Sequence, residues 1–170
     1  GDIDNATEIN VTITDSITVA NADTLITTQG ITGTITATIS EQDTATLTGI
    51  DANNNGAFTI TVARTSEVDG DTDAVEEVQA TDITAIEALT TLSLNVTSQT
   101  IEGDIADVTT AFVTNANENT YASDVAITLD DATSITELNA ITDLTTGTVT
   151  ATMDAAALAD YFDDGSLDIS

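Results

Sequence analysis

The chain of 170 residues contains no histidine, cysteine, proline or tryptophan. Ser–His–Asp and Cys–His nucleophiles, thiolate redox sites and ordinary zinc sites are therefore excluded, because each of them needs an imidazole or a thiolate. Disulfides are excluded as a source of stability for the same reason. Carboxylate, hydroxyl and amide groups are the side-chain chemistry that remains, and the sequence predicts that the protein is not an enzyme.

Aromatic residues are scarce, which bears on one reaction that carboxylates alone could perform. Paired carboxylates hydrolyse glycosides when they face each other across a sugar, and a chain rich in acids contains many chance pairs. The sugar-stacking rings expected beside such a pair are limited to Phe58, Phe112, Tyr121, Tyr161 and Phe162. Because a catalytic pocket also needs an apolar lining with convergent polar groups, glycoside hydrolysis is not expected.

Positive charge is almost absent. One Lys or Arg stands against 30 Asp and Glu, which gives a formal net charge of −29. Phosphate backbones and anionic lipid head groups are bound by clustered Lys and Arg, and no apolar run approaches the roughly 18 to 20 residues that cross a bilayer. The sequence therefore predicts no nucleic-acid partner and no membrane insertion.

The apolar content nevertheless predicts a folded chain. Hydrophobic residues make up 41% of the sequence, and the mean hydropathy is +0.10, which is too high for a chain kept disordered by its charge. The length permits a single domain over residues 1–170, with residues 1–80 and 81–170 as possible sub-units.

Alternating threonine and aliphatic residues are the main secondary-structure signal. Period-two alternation of β-branched residues is typical of strands with one face toward a core and the other toward water. The segments with this pattern are 12–14, 34–39, 59–62, 92–97, 125–129 and 148–152.

Short helices are predicted between the strands. Ile135, Leu138 and Ile141 share one helical face, and Ser134 with Glu137 three residues later forms a capping box. Similar helical spacing occurs in 83–89, 101–112 and 155–162. Such short helices hold only against a neighbouring sheet.

An imperfect internal repeat organises these segments. The predicted strands begin near residues 11, 34, 59, 92, 125 and 148, and the clearest internal match pairs 31–39 with 146–153. Repeats too small to bury their own face stack on one another. The expected fold is mainly β with short helices, arranged as stacked β/βα repeats in a solenoid-like architecture. One or more β-sandwich modules are the alternative.

The repeated motif T-G-T-[IV]-T-A-T, together with Ile-Thr-Asp-Ser before it, carries a resemblance. The chain resembles the degenerate Thr/Ala/Asp repeats of very large secreted surface proteins of cyanobacteria and other marine bacteria. The resemblance implies a secreted or cell-surface protein in a saline environment. Proteins of this kind often carry calcium-binding nonapeptides, which this chain lacks, and no site residue is carried over.

One segment fits the first half of a calcium-binding loop. Asp51, Asn53 and Asn55 precede Gly56 with the alternate spacing of oxygen ligands around Ca²⁺. Val62 occupies the twelfth position, where an EF-hand needs a bidentate Glu, so an EF-hand is excluded. One interpretation is a shorter extracellular calcium loop, whose shell is completed by carbonyls and water, and a β-hairpin turn at Asn55-Gly56 is the alternative.

The densest acidic stretch offers a second candidate cation site. Asp69, Asp71 and Asp73 are followed by Glu76 and Glu77. Carboxylates at this density suit a hard cation such as calcium. A solvated loop whose charges are merely screened by ions is the alternative.

Three Asn-x-Ser/Thr sequons are present, at Asn5, Asn10 and Asn95. All three are usable if the source organism glycosylates its surface proteins.

The features together favour a structural role outside the cell. The expected function is a structural module or subunit of a surface layer, adhesin stalk or filament, with copies or neighbouring repeats of the same protein as partners. The strand expected over residues 9–19 places Ile9, Val11 and Ile13 on one face and is the candidate assembly strand, because a terminal strand can add to a neighbour's sheet edge. Pairing of this strand within its own chain is the alternative. Two other functions remain open: a calcium-assisted polysaccharide-binding adhesion module, and a virion decoration or fibre protein.

Overall fold

The structure is a computed structural model that describes residues 9–28, 33–51, 56–63, 77–114, 119–131 and 134–152. The strands of these residues are β1 (Val11–Ile17), β2 (Ile35–Ile39), β3 (Gly56–Thr59), β4 (Thr61–Val62), β5 (Glu77–Gln79), β6 (Asn95–Val96), β7 (Thr100–Gly103), β8 (Thr120–Tyr121), β9 (Ala126–Leu129) and β10 (Val149–Ala151). The helices are α1 (Val19–Thr28), α2 (Thr44–Leu47), α3 (Ala80–Glu87), α4 (Ile105–Thr109), which continues into a π-helical turn at Thr110–Thr114, and α5 (Ile135–Thr142).

The strands form three small sheets with the orders β1–β2–β3, β4–β6–β8 and β10–β9–β7–β5. Every pair in them is parallel. Paired residues are separated by 21 residues at the least, between Ile35 and Gly56, and by 34 at the most, between Thr61 and Asn95. Each strand therefore pairs with strands from nearby segments of the chain.

The expectation of strands interrupted by short helices is confirmed, and the finer class is not. Helices and strands take roughly equal shares of the described residues, so these residues do not support a mainly β protein. Three small sheets do not by themselves establish the continuous solenoid that the sequence predicts. The parallel pairing also differs from the antiparallel sheets of which β-sandwiches are built.

The core is formed by aliphatic side chains of the strands and helices together. Ile101 of β7 and Ile127 of β9 are fully buried in one cluster with Ile83 and Ile86 of α3. Phe58 of β3 belongs to the same cluster and is fully buried as well. Of the β-branched residues that produced the period-two pattern, Ile35 and Ile60 are buried in this cluster together with Ile127.

Two sequence-based assignments are corrected by the structure. The segment 101–112 was expected to be helical, but Thr100–Gly103 is strand β7 and the helix begins only at Ile105. Thr100, Ile101 and Gly103 are all buried, and a parallel strand that is buried on both faces lacks the alternation that identifies a strand. The predicted strand over 9–19 ends at Ile17, because helix α1 follows it directly.

The hairpin alternative at Asn55-Gly56 is also corrected. Gly56 begins β3, and β3 pairs in parallel with β2, the strand that precedes it in the chain. A two-residue hairpin joins antiparallel strands. Residues 52–55 lie outside the described residues, as does the predicted helix at 155–162.

Candidate assembly edges and acidic surface

The candidate assembly strand is paired on one edge within its own chain. β1 pairs in parallel with β2, so the alternative of pairing within the chain is confirmed for this edge. In the described part of the chain, no strand pairs with the other edge of β1. Ile9 is 54% exposed, and Val11 and Ile13 are half-buried on the same face. One edge of β1 is therefore the candidate assembly edge.

Part of this edge is irregular. Thr12 pairs with Thr36 and Ser16 with Thr38, so three residues of β1 lie opposite the single residue Ala37 of β2. Such a bulge bends a strand and disturbs pairing beyond it, which is one way in which proteins protect sheet edges. Asp15 lies in the bulge and is exposed. The regular part of the β1 edge is therefore its N-terminal half.

The last described strand in the chain, β10, is also an end strand of its sheet. β10 pairs with β9 alone among the described strands. Val149 and Ala151 of β10 are half-buried, and residues 144–152 contain no charged side chain. Neither a charge nor a bulge interrupts this edge.

The repeated T-G-T-[IV]-T-A-T motif has a steric explanation. Gly33 and Gly147 each lie two residues before a strand, where the chain meets the backbone that leads into the preceding strand. A Cβ on Gly147 would lie against the carbonyl oxygens of Asp124 and Val125, and a Cβ on Gly33 would lie against the carbonyl oxygen of Ile9. Only glycine lets successive segments approach this closely.

A second repeated motif, Leu-Thr-Thr, forms hydrogen bonds with backbone groups at or near the starts of two strands, β3 and β9. The Thr90 hydroxyl donates to the Phe58 carbonyl at 2.8 Å and accepts from the Phe58 N–H at 2.9 Å. The N–H of Thr91 donates to the Gly56 carbonyl at 3.0 Å. These contacts satisfy backbone groups of β3 on the edge that faces away from β2.

The same arrangement recurs at Leu144-Thr145-Thr146. The Thr145 hydroxyl donates to the Val125 carbonyl at 2.6 Å, and the N–H of Thr146 donates to the Ser123 carbonyl at 2.8 Å. In both motifs, the two acceptor carbonyls are two residues apart. The role of this motif is not predicted from the sequence, although Leu-Thr-Thr occurs after α3 and again after α5.

Two carboxylates join successive strand–helix segments. Glu41 lies two residues after β2 and accepts a hydrogen bond from the N–H of Val19, the first residue of α1, at 3.2 Å. Asp131 lies two residues after β9 and accepts from the N–H of Ile105, the first residue of α4, at 2.9 Å. A carboxylate at a helix N-terminus satisfies a free N–H and interacts favourably with the helix dipole. Some of the acids are therefore structural.

Three other carboxyl groups form a row: Glu77 of β5, Glu102 of β7 and Asp130, the residue after β9. Glu102 is hydrogen-bonded to Glu77 on one side and to Asp130 on the other. The hydrogen bond to Glu77, followed by burial and the Glu77 charge, raises the pKa of Glu102. Burial, followed by the charges of Glu102 and Asp131, raises the pKa of Asp130. A hydrogen bond between two carboxyl groups needs a proton, so the raised pKa values of Glu102 and Asp130 favour these contacts at acidic pH.

Glu102→Gln is expected to raise the melting temperature at pH 7 and to flatten its dependence on pH. Because the pKa of Glu102 is raised on folding, its contribution to stability is complete below the unfolded-state pKa and is lost as the pH rises through the folded-state pKa. The wild-type chain should therefore lose stability between mildly acidic and neutral pH. Thermal unfolding followed by circular dichroism over this range measures the effect.

Glu137→Ala provides a control of opposite sign. The backbone N–H and hydroxyl of Ser134 hold the pKa of Glu137 below its ordinary value, so its contribution is present at neutral pH and is lost as the pH falls through the folded-state pKa. This variant should be less stable than the wild type at neutral pH. If the melting temperatures of Glu102→Gln and the wild type depend on pH in the same way, the raised pKa of Glu102 is contradicted.

The calcium candidates fall mostly outside the described residues. Of the six residues predicted as calcium ligands, only Asp51 is described, and its N–H donates to the Asp23 carboxylate at 2.9 Å. Asn53 and Asn55 lie outside, as do the three aspartates Asp69, Asp71 and Asp73. Within the described ranges, no group of three acids is placed so that it could hold a metal ion. Calcium binding stays a prediction.

The sequons are placed in part. Asn10 is exposed, and its side-chain oxygen accepts from the Thr34 N–H at 2.8 Å. Asn95 is exposed on β6, and Asn5 lies outside the described residues. Their glycosylation stays a prediction.

The described aromatic rings lie in the core. Phe112 and Tyr121 stack with their ring centres 4.2 Å apart, and the Tyr121 hydroxyl donates to the Ala111 carbonyl at 2.6 Å. Burial raises the pKa of Tyr121 to about 12. With Phe58 also buried, none of the described rings offers an exposed platform for stacking a sugar.

Comparisons with known proteins add no relative. The chain matches no family model, no curated protein and no solved structure. None of the described helices is both long and apolar enough to cross a bilayer.

Proposed function

We propose that the chain is a structural, non-enzymatic module of an extracellular surface layer, stalk or filament, and that it assembles with copies or neighbouring repeats of the same protein through its sheet edges. In this proposal the strand–helix segments stack in a solenoid-like order. Calcium and other cations act by screening the carboxylates, with the acidic loops as candidate binding sites.

The observation that carries the proposal is the pairing pattern of the strands. All described pairs are parallel and join nearby segments of the chain, and β1 and β10 are among the end strands of the three sheets. Stacked-repeat proteins are built in this way, and each repeat contacts only its neighbours. An open parallel edge presents main-chain donors and acceptors to a further strand.

The charge supports a saline, extracellular setting. At a net charge of −29, copies repel one another at low ionic strength, and salt screens exposed charges beyond about 10 Å at 0.1 M. Assembly of such a chain is expected only where cations are plentiful. The resemblance to large secreted repeat proteins agrees with this setting.

Electron microscopy of the purified chain as a function of salt tests the proposed function. Filaments or sheets are expected above a threshold ionic strength, with monomers below it. If calcium lowers this threshold no more than sodium does at matched ionic strength, the acidic loops act by screening alone. Saturable binding of a defined glycan by a chain that stays monomeric in all salts would overturn the structural proposal in favour of the polysaccharide-binding alternative.

A further inference from the structure

Apolar side chains in the first and last described strands, β1 and β10, are less buried than their partners in the neighbouring strands. Ile35 of β2 is 1% exposed, whereas Val11, its partner in β1, is half-buried. Ile127 of β9 is fully buried, whereas Val149, its partner in β10, is half-buried. Stacked-repeat proteins normally end in repeats with a polar outer face. In β1 and β10 the exposed residues are polar, but the apolar residues beside them are only half-buried.

The helices at the two ends repeat this pattern. The apolar side chains that pack only partly against the core include Leu25 and Ile26 of α1 and Leu138 of α5. In α3, between the ends, Ile83 and Ile86 are fully buried. Both ends therefore present an incompletely covered apolar surface beside an open strand edge.

Strand β2 indicates what kind of strand can pair with the unpaired edge of β10, because the two strands share a sequence motif. β2 and β10 contain nearly the same sequence, Thr-Gly-Thr-Ile-Thr-Ala-Thr at 32–38 and Thr-Gly-Thr-Val-Thr-Ala-Thr at 146–152. β2 is paired on both edges, with β1 on one and β3 on the other, and both neighbours are parallel to it. β3 has no charged residue, and β1 has one, Asp15. β10 is paired on one edge alone in the described structure.

The outer edges of β1 and β10 are not alike; the other end strands of the three described sheets are β3, β4, β5 and β8. Parallel pairing gives a stack a direction, so a strand added beyond β10 must run parallel to it, as β10 does to β9. A contact between unlike surfaces of identical subunits propagates into a ring or an open filament, whereas a contact between like surfaces closes a dimer. β1 and β10 belong to different sheets, and in the proposed solenoid-like order the edge of β1 is the other end of the stack.

We propose that β10 of one copy pairs in parallel with the outer edge of β1 of a second copy, so that copies stack head to tail as successive strands do within one chain. This inference rests on the proposed function and adds the identity and direction of the contact. The contact uses the N-terminal half of β1, before its bulge, and the uncharged segment 144–152. Both segments lack carboxylates, so the repulsion between two chains of equal charge is reduced at this contact.

The backbone hydrogen bonds identify the groups that the contact uses. The Val11 N–H donates to the Thr34 carbonyl at 2.9 Å, so Val11 faces β2 and the N–H of Thr12 faces the outer edge. The Thr148 carbonyl accepts from the Ile127 N–H at 2.9 Å, so Thr148 faces β9 and Ala151 faces outward. Proline is tolerated on an edge strand where its missing N–H faces solvent. Thr12 and Ala151 are therefore the positions at which proline blocks one edge each.

Two single variants and their mixture test the proposal in the full chain. Thr12→Pro closes the β1 edge, and Ala151→Pro closes the β10 edge. At a salt concentration at which the wild type polymerises, each variant alone should sediment as a monomer in analytical ultracentrifugation. An equimolar mixture should form dimers and nothing larger, because one open β10 edge and one open β1 edge remain. Thr12→Ala and Ala151→Ser keep the N–H and should polymerise.

The outcomes separate this inference from the proposed function. If both proline variants polymerise like the wild type, assembly uses another surface, and the head-to-tail contact is overturned while the structural role stands. If the folded variants stay monomeric when mixed, the two edges do not bind each other, and the contact is overturned. A wild type that is monomeric in all salts overturns the proposed function itself. Should a proline variant have a non-native circular dichroism spectrum, Thr12→Asp and Ala151→Asp repeat the test by adding a charge to each edge.

Discussion

Gly147→Ala should lower the free energy of unfolding by about 3 kcal/mol, the upper range for inserting a methyl group into a packed site. An added Cβ would meet the carbonyl oxygens of Asp124 and Val125 and would lie 2.7 Å from the Val125 carbonyl carbon. These are backbone atoms that lead into β9, so they cannot yield as a flexible side chain would. Relief requires β10 to move away from β9. Urea unfolding followed by circular dichroism measures the loss.

Gly49→Ala is the matched control. The nearest atom to a Cβ at Gly49 is the Thr46 carbonyl oxygen at 3.0 Å, and it is the single close contact there. We expect a cost of about 1 kcal/mol or less at this position. Gly33→Ala should behave like Gly147→Ala, because its Cβ would lie 2.6 Å from the Ile9 carbonyl carbon. A Gly147→Ala chain as stable as Gly49→Ala would show that the repeated glycine has no steric role.

Thr90→Val should lower the free energy of unfolding by about 2 to 4 kcal/mol. Valine has nearly the shape of threonine, but it cannot donate to the Phe58 carbonyl or accept from the Phe58 N–H. Both groups lie on the β3 edge that faces away from β2, and each buried backbone group left without a partner costs about 1 to 3 kcal/mol. Chemical denaturation of the two proteins in parallel measures the difference.

Thr90→Ser separates the hydroxyl from the methyl group. Serine keeps both hydrogen bonds and loses one methyl, so most of the stability should be retained. Thr145→Val tests the second Leu-Thr-Thr motif, where the Val125 carbonyl would lose its donor. The role assigned to the hydroxyl is refuted if Thr90→Ser and Thr90→Val are equally unstable.

Local sequence patterns predicted several elements well. The capping box at Ser134 and Glu137 is present in the structure with both of its hydrogen bonds, and α5 begins at the next residue. Alternation identified β2, β9 and β10 to within about one residue, because one face of each strand is more exposed than the other. These features depend on residues close together in the chain, for which the pattern is sufficient.

The features that depend on pairing could not be predicted in the same way. The row formed by Glu77, Glu102 and Asp130 requires the register of β5 against β7 and of β7 against β9. Because the spacing between predicted strands varies along the chain, the sequence does not determine that register. The acceptors of Thr90 lie 32 residues away, so Leu-Thr-Thr alone does not reveal what it binds. β1 was identified from its alternation, but its bulge depends on how β2 lies beside it.

Pairing among nearby segments has a consequence for how the chain reaches its folded state. Closing a loop of a few tens of residues costs little more entropy than closing a shorter one, so each strand can pair soon after its neighbour is available. Early strands can therefore dock while later ones are still being synthesised or exported, in a vectorial order from β1 to β10. The chain has no cysteine that needs an oxidant and no proline that needs slow isomerisation. In the proposed extracellular setting, folding would require neither an oxidase nor a prolyl isomerase, only enough cations to let successive acidic segments come together.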